Sequence, residues 1–260
     1  MCLANYDVVK CKIISVKEIA VNTFDFVITC EQESREFIEK AKAGQFIHIY
    51  LKGRVLRRPI SICDIDKQNG TLRIVFQIRG EGTFDLSLYK EGEILDAILP
   101  LGNGFTLEDS SKKALFVGGG IGVPPLLATA KHYGKNAVVA LGFANKQSVI
   151  LEEDFKAVGV DLRIATDDGS YGTKGLVTQL FKEEKPEIIY ACGPNAMLKA
   201  VANFAKEIGA ECQLSLEERM ACGIGACLGC AVSLKGENNK EYFGHVCKDG
   251  PVFDYRKVVM

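Results

Sequence analysis

Four cysteines near the C-terminus carry the most specific chemistry in this sequence. Cys222, Cys227 and Cys230 follow the spacing C-x4-C-x2-C within Met220-ACGIGACLGCAV-Ser233, and Cys247 follows in His245-Val246-Cys247. Thiolates at this spacing hold plant-type [2Fe-2S] centres, in which one further cysteine completes the ligand set. Gly223, Gly225 and Gly229 leave the loop free to adopt positive φ and wrap around such a cluster. A structural zinc site favours two separated C-x2-C pairs and fits less well. Unconnected core thiols are the other alternative. The pattern points to a chain that carries electrons.

Two further constellations accompany the cysteines. Arg57-Arg58-Pro59-Ile60-Ser61 places a forked donor and a hydroxyl close together at a strand end, where both can meet a phosphate. Further on, Gly82 and Thr83 are expected to open a helix over 83–89, whose first amides favour an anion. Taken singly, these segments also fit a solvated strand end and an ordinary cap. The second constellation is Gly118-Gly119-Gly120-Ile121-Gly122-Val123-Pro124-Pro125. It joins an expected strand to an expected helix, the context in which glycines let a phosphate approach backbone N–H groups. The spacing departs from G-x-G-x-x-G, because Val123 takes the last glycine's place. A tight turn without a ligand is the alternative. Cys192-Gly193-Pro194, with Met197, stands at another strand-to-helix passage, and ligands bind beyond the carboxyl ends of parallel strands. Thr166-Asp167-Asp168-Gly169 follows an expected strand and offers two carboxylates, which in a dinucleotide site would favour a free ribose over a 2′-phosphate; a solvated turn is the alternative reading.

The elements that must position these residues divide the chain in three. Residues 1–105 carry β-branched or alternating runs at 8–16, 23–29, 45–51, 60–65 and 72–78, punctuated by turns. At least five or six short strands fit a closed antiparallel barrel, which leaves no exposed edge. Over 106–212 strands and helices alternate: strands at 114–117, 137–144, 160–166 and 187–192, and helices at 124–133, 149–158 and 195–208, with 175–181 continuing the rhythm. This alternation implies a parallel sheet flanked by helices. A last strand is expected at 212–216, and 213–260 forms a small cysteine-bearing domain. The fold class is therefore α+β multidomain.

With 260 residues, 47% of them hydrophobic, two compact units and a small appendage are the natural expectation. A net charge of −1 disfavours a nucleic-acid or anionic-lipid footprint. No apolar stretch is long enough to cross a bilayer. The N-terminus lacks a charged leader and apolar run, so no secretion signal is expected. Ten cysteines then point to a reducing, cytoplasmic setting and metal ligation rather than disulfides. Cys2, Cys11, Cys30, Cys63, Cys192 and Cys212 read mostly as packing residues, as do the imidazoles of His48, His132 and His245.

In combination these motifs resemble the ferredoxin–NADP reductase superfamily: a flavin barrel with R-x-x-S, a nicotinamide domain with GGGIGxxP, then a CGP loop. Arg58 and Ser61 match the superfamily's flavin motif, and Ile60 stands where that motif has a tyrosine. Arg58-Pro-Ile-Ser61, Cys222-GIGAC-Leu-Gly-Cys230 and Val246-Cys247-Lys-Asp-Gly-Pro-Val-Phe253 are more closely similar to the family of electron-transfer subunits of dihydroorotate dehydrogenase B. This resemblance covers essentially the whole chain. It implies FAD bound by Arg58, Pro59, Ile60, Ser61, Val75, Phe76, Gln77, Gly82 and Thr83. It implies a [2Fe-2S] cluster on Cys222, Cys227, Cys230 and Cys247. NAD would lie against Gly118, Gly119, Gly120, Gly122, Cys192, Gly193 and Pro194, with the Cys192 thiol packing near the nicotinamide or simply buried. The implied partner is an FMN-containing catalytic subunit that oxidises dihydroorotate in pyrimidine biosynthesis, two copies of each chain forming a heterotetramer. Electrons would run from FMN through cluster and FAD to NAD⁺, with no general base on this chain. The rival readings are a reductase subunit of a hydrogenase or other ferredoxin-linked complex, and a nucleotide-binding redox sensor.

Overall fold

The computed structural model describes residues 7–260, so Cys2 lies outside the described residues. The N-terminal part comprises β1 (Val8–Ala20), β2 (Thr23–Cys30), α1 (Arg35–Lys40), β3 (Phe46–Tyr50), β4 (Arg58–Asp66), β5 (Thr71–Gln77), α2 (Glu81–Ser87) and β6 (Ile94–Leu101). The strands close into a barrel in the order β1-β2-β5-β4-β3-β6, with every neighbour antiparallel. Alternation drives the closure. Val9, Cys11 and Ile13 of β1 point inward while Val8, Lys10 and Lys12 are exposed, and Phe26, Ile28, Ile47, Ile49, Ile62, Leu72 and Ile74 fill the same interior.

The second part comprises β7 (Ala114–Gly119), 3₁₀ turns at Gly120–Gly122 and Pro124–Leu126, α3 (Leu127–Tyr133), β8 (Ala137–Phe143), α4 (Glu152–Val158), β9 (Asp161–Thr166), β10 (Thr173–Lys174), a 3₁₀ turn at Val177–Leu180, β11 (Ile188–Cys192), α5 (Asn195–Ile208) and β12 (Glu211–Ser215). After the cysteine loop come the hairpin β13 (Ala231–Lys235) and β14 (Glu241–His245), then β15 (Val252–Asp254). The main sheet runs β10-β9-β8-β7-β11-β12-β15, parallel except for β15. Its strands are apolar on both faces, as a doubly covered parallel sheet requires. Phe116 packs toward Leu126, Tyr133 and Phe155, whereas Leu115 and Val117 pack toward Val177, Leu198 and Leu214.

Several elements differ from the sequence-based expectation. The strand over 212–216 is not the last, because β15 returns and pairs with β12 through Leu214 and Phe253. The cysteine segment is thereby stitched into the nucleotide-domain sheet, and the expected division at 212/213 falls inside β12. The helix expected over 83–89 runs from Glu81 to Ser87: Gly80 caps it, and the Thr83 hydroxyl accepts from the N–H groups of Arg79 and Gly80. The segment expected as helix from 124 begins as a 3₁₀ turn over the two prolines. Helix α4 starts at Glu152 rather than 149, since Leu151 takes φ +60° and interrupts the helical backbone.

The barrel and the sheet domain are joined by ion pairs. Arg73 of β5 holds Asp25 of β2 with both Nε and Nη2 and also reaches Asp154 of α4. Lys131 of α3 pairs with Asp64 of β4.

Candidate functional site

Strands β4 and β5 pair only from Ile62 and Ile74 onward. Beyond that point they separate, and the gap becomes a cleft. Pro59, Ile60 and Ser61 form one wall with Phe46 of β3; Val75, Phe76 and Gln77 form the other; Arg79 and Thr83 stand at the mouth. Ile121, Ser215, Leu216, Glu217, Glu218, Met220 and Pro251 close the cleft from the sheet domain and the cysteine segment. One cleft thus touches all parts of the molecule. Val75 and Phe76 are buried, with the Phe76 ring turned into the barrel against Phe24 and Phe26.

The adjacent arginines do different work. Arg57 pairs with Asp96 at 2.6 Å and donates to the His48 and Asp96 carbonyls. Arg58 has no carboxylate partner among the described residues; its Nη1 donates to the Leu56 carbonyl at 2.6 Å. Its guanidinium lies flat over Gly82, where a Cβ would overlap Arg58 Nε. Gly82 therefore belongs to this site through close approach. Glu217 is solvent-exposed yet stands in the cleft wall, and the water it loses there pushes its carboxyl above the ordinary range, with Arg79 opposing.

The turn after β7 interlocks with the one after β11. A Cβ on Gly122 would fall 2.5 Å from the Cys192 carbonyl oxygen, and one on Gly119 would fall 2.8 Å from Pro194 Cδ and 2.9 Å from Met197 Sδ. The backbone of Gly193 abuts Gly119, and Gly118 is enclosed by Val123, Leu141 and Leu126. Beyond this junction a second cleft opens at the carboxyl ends of the strands, lined by Gly119, Gly120, Gly142, Asp167, Leu176, Pro194 and Met197. Gly118, Gly122 and Cys192 lie behind the lining. Cys192 is 1% exposed, and its burial pushes the thiol far above its ordinary range. The two carboxylates of the 166–169 turn also separate: Asp167 lines the cleft, whereas Asp168 accepts from Ser170 N–H.

The cysteine loop follows β12. Cys230 leads into β13, and Cys247 follows β14, so the hairpin brings the distant cysteine back to the loop. Amides point at the sulfurs: Gly225 N–H donates to Cys247 Sγ at 3.1 Å, Ala226 N–H to Cys222 Sγ at 3.2 Å, and Cys247 N–H to Cys230 Sγ at 3.4 Å. Gly223 (φ 72°), Gly225 (φ 81°) and Leu228 (φ 60°) all take positive φ, and the first two bend the loop where the Gly225 and Ala226 amides meet sulfur. Burial disfavours ionisation of Cys222, but the amides of Ile224 and Ala226 and the neighbouring Cys227 outweigh it and bring the thiol down to about 6. Burial beside Cys230 pushes Cys247 up to about 12. The Cys247 amide thus meets Cys230 Sγ, while the consecutive amides of Gly225 and Ala226 meet Cys247 and Cys222. Among the described residues no three His, Cys, Asp or Glu side chains converge as a single metal ion would require. Four cysteines with backbone amides aimed at their sulfurs fit a two-iron cluster, which takes four thiolates and is tuned by hydrogen bonds to sulfur.

Comparison with known proteins bears on all three sites. Residues 217–259 match the family described as the iron-sulfur cluster binding domain of dihydroorotate dehydrogenase B. Over 258 residues, 95% of this chain and 96% of the relative, the sequence is 43% identical to the dihydroorotate dehydrogenase B (NAD(+)) electron transfer subunit of Streptococcus mutans. The chain belongs to this family of electron-transfer subunits. The corresponding subunit of Bacillus cereus is 41% identical over 260 residues, 95% of this chain and 97% of that one. Among solved structures, an NADH-dependent reduced ferredoxin-NADP oxidoreductase superposes with a TM-score of 0.82 at 33% identity, covering 99% of this chain and 91% of that one. Amycolatopsis cytochrome P450 reductase, at 19% identity and TM-score 0.64 over 79% of this chain and 68% of its own, shares the fold.

Against the family motifs, sequence reasoning missed the residues that close the first cleft from outside the barrel. Ile121 lies inside the glycine motif, Met220 opens the cysteine stretch and Pro251 lies within Cys247–Phe253, so their places in the sequence gave a usable signal. Glu217 and His48 gave none. His48, read as structural, is fully buried against the cluster loop, and that burial, with Arg57 nearby, lowers its imidazole to about 4.

Proposed function

We propose that this chain is the electron-transfer subunit of an NAD-dependent dihydroorotate dehydrogenase. It would connect an FMN-bearing catalytic partner to NAD⁺ through a [2Fe-2S] cluster and FAD, in a heterotetramer with two copies of each chain. The carrying observation is the single cleft walled by Ile60 and Ser61, Ile121, and Met220, which belong respectively to the barrel, the glycine turn and the cluster segment. When bound there, a flavin supplies the exchange between the cluster's single electrons and the two-electron hydride of nicotinamide.

The chain's own residues place and screen these groups. Arg58, free of carboxylates and held over Gly82, presents its forked donors to a flavin phosphate, with Ser61 beside it. Ile60 offers an aliphatic surface in place of an aromatic ring. Pro59, Val75, Phe76, Gln77 and Thr83 complete the flavin walls, the Thr83 hydroxyl being engaged in its own turn. Gly119, Gly120 and Pro194 line the nucleotide cleft; Gly118, Gly122, Cys192 and Gly193 hold its two loops in contact. Asp167 stands where it would accept from ribose hydroxyls and repel a 2′-phosphate. Cys222, Cys227, Cys230 and Cys247 are the cluster ligands in this reading. No side chain is assigned to proton abstraction from dihydroorotate.

The nine described cysteines are all free thiols, which supports a reducing, cytoplasmic setting. Among the described residues no helix is long and apolar enough to cross a membrane. A ferredoxin-linked reductase subunit is the second reading, favoured by the 33% identity over 99% of the chain to the oxidoreductase structure; the 43% relative outweighs it. Reconstitution with an FMN-bearing dihydroorotate dehydrogenase decides between them. Dihydroorotate-dependent reduction of NAD⁺ that requires this chain is the expected result, and a mixture that reduces only ferredoxin would overturn the reading.

A further inference from the structure

Strand β3 is buried along both faces, and each face has a different task. Ile47 and Ile49 point into the barrel core, whereas Phe46 and His48 point outward. Phe46 lines the cleft between barrel and sheet domain and packs in the same apolar cluster as Cys230 and Cys247. One step along that face, His48 meets the cysteine loop directly. A Cβ on Gly223 would overlap His48 Nδ1 and fall 2.8 Å from Cε1, so the imidazole edge rests on the backbone just after Cys222.

His48 is 0% exposed, and neither ring nitrogen has a partner within hydrogen-bonding geometry among the described residues. An unpartnered buried donor costs on the order of 1–3 kcal/mol, so an apolar side chain would serve mere filling better. The backbones of Arg57 and of Cys222 lie beside the ring and favour a proton on it, as carbonyl oxygens do. One belongs to the barrel, the other to the first cysteine of the loop. The charged groups facing the ring are Arg57 and Arg58, which oppose a second proton on it. A neutral imidazole has one N–H to give and one lone pair to keep.

We propose that His48 is a positioning residue for the iron–sulfur centre: pressed against Gly223, its ring would donate an N–H to the Cys222 carbonyl once the cluster draws the loop together, and so lock that loop against the outer face of β3. Phe46 and His48 then make β3 a strut with the flavin cleft at one end and the first cluster ligand at the other. The proposal rests on reading the four cysteines as cluster ligands. Partners of this kind that orient metal ligands change metal affinity or activity by about 10–100-fold when removed.

The test uses the full complex isolated anaerobically, with His48→Phe to remove the donor and His48→Asn to retain one. Readouts are iron and FAD content, NADH-driven dye reduction, and the EPR spectrum and midpoint potential of the reduced centre. His48→Phe is expected to keep FAD and dye reduction, alter the EPR spectrum, and slow cluster reduction by NADH about tenfold. His48→Asn is expected to restore the wild-type spectrum. Should His48→Phe fail to bind FAD, His48→Leu against His48→Asn makes the same comparison without a ring pressed on Gly223. Spectra and potentials indistinguishable from wild type in the variants lacking a donor overturn the proposal alone. Wild-type protein without iron overturns the cluster reading as well, and iron analysis separates the two failures.

Discussion

The cluster loop and the nucleotide turn are both rich in glycine, and they use it for different physical reasons. In the cluster loop Gly223 and Gly225 have φ of 72° and 81°, and that conformation turns the Gly225 and Ala226 amides toward Cys247 and Cys222. Gly223 and Gly225 also lie close to His48 and Lys248, whereas the nucleotide turn depends chiefly on the missing Cβ. Gly119 and Gly122 sit against Pro194, Met197 and the Cys192 carbonyl, while only Gly120 (φ 53°) needs the left-handed backbone. The first loop is shaped to surround a group, the second to let two loops touch. Sensitivity to substitution should therefore follow ligands in one and close contacts in the other.

The largest effect is expected from Cys227→Ser. Cys227 is the exposed member of the set, so its replacement disturbs little packing and isolates ligation. Iron and the EPR signal of the reduced complex should vanish, while NADH-driven dye reduction through the flavin persists. Retention of a full complement of iron would remove Cys227 from the ligand set.

Next in size is Gly122→Ala. Its Cβ would stand 2.5 Å from the Cys192 carbonyl oxygen and 2.7 Å from Gly193 Cα, backbone atoms that cannot rotate away. Overpacking of this kind costs about 2 kcal/mol, and the KM for NADH should rise with FAD content unchanged. Gly120→Ala is the control. Nothing lies within 4 Å of its Cβ, so only the positive φ is penalised, at about 1 kcal/mol. Thermal unfolding of both variants ranks them, and a costlier Gly120→Ala would reverse the account of the turn.

This contrast also shows what could be read before the structure. Local patterns carried well: the alternation of Val9, Cys11 and Ile13 made a barrel strand, and the doubly buried run Ala114–Gly119 made a parallel one. The cysteine spacing marked its own loop. What escaped was decided by partners distant in sequence. Val252–Asp254 is too short to show a period, yet it completes the sheet beside β12. Asp167 and Asp168 look equivalent as residues, and only the turn's hydrogen bonds assign one to the cleft and the other to Ser170. His48 reads as an ordinary strand residue because nothing near it in sequence announces Gly223.

Asp167 supplies the next, smaller test. If the nucleotide cleft selects by charge as well as by close packing, Asp167→Asn should raise kcat/KM for NADPH relative to NADH about tenfold, a change of roughly 1.4 kcal/mol. Asp168→Asn should not, because that carboxylate serves the turn. Equal ratios in both variants and wild type would return this segment to a solvated turn.

The smallest expected effect concerns how each region is attached to the barrel. The cluster loop meets β3 through a buried, uncharged contact at His48, whereas the nucleotide domain is held by Arg73–Asp154 and Lys131–Asp64. In Asp154→Asn, Arg73 keeps its two-pronged hold on Asp25, so no buried charge is stranded. With side-chain exposures of 20% and 33%, the lost pair is screened in part by solvent. It should contribute about 0.5 kcal/mol, read as a small drop in unfolding temperature that disappears as salt rises, since screening weakens the wild-type pair too. The His48 variants should show no such convergence with salt. A salt-independent loss in Asp154→Asn would mean that packing, and not charge, joins the nucleotide domain to the barrel, and the two attachments would then be of one kind.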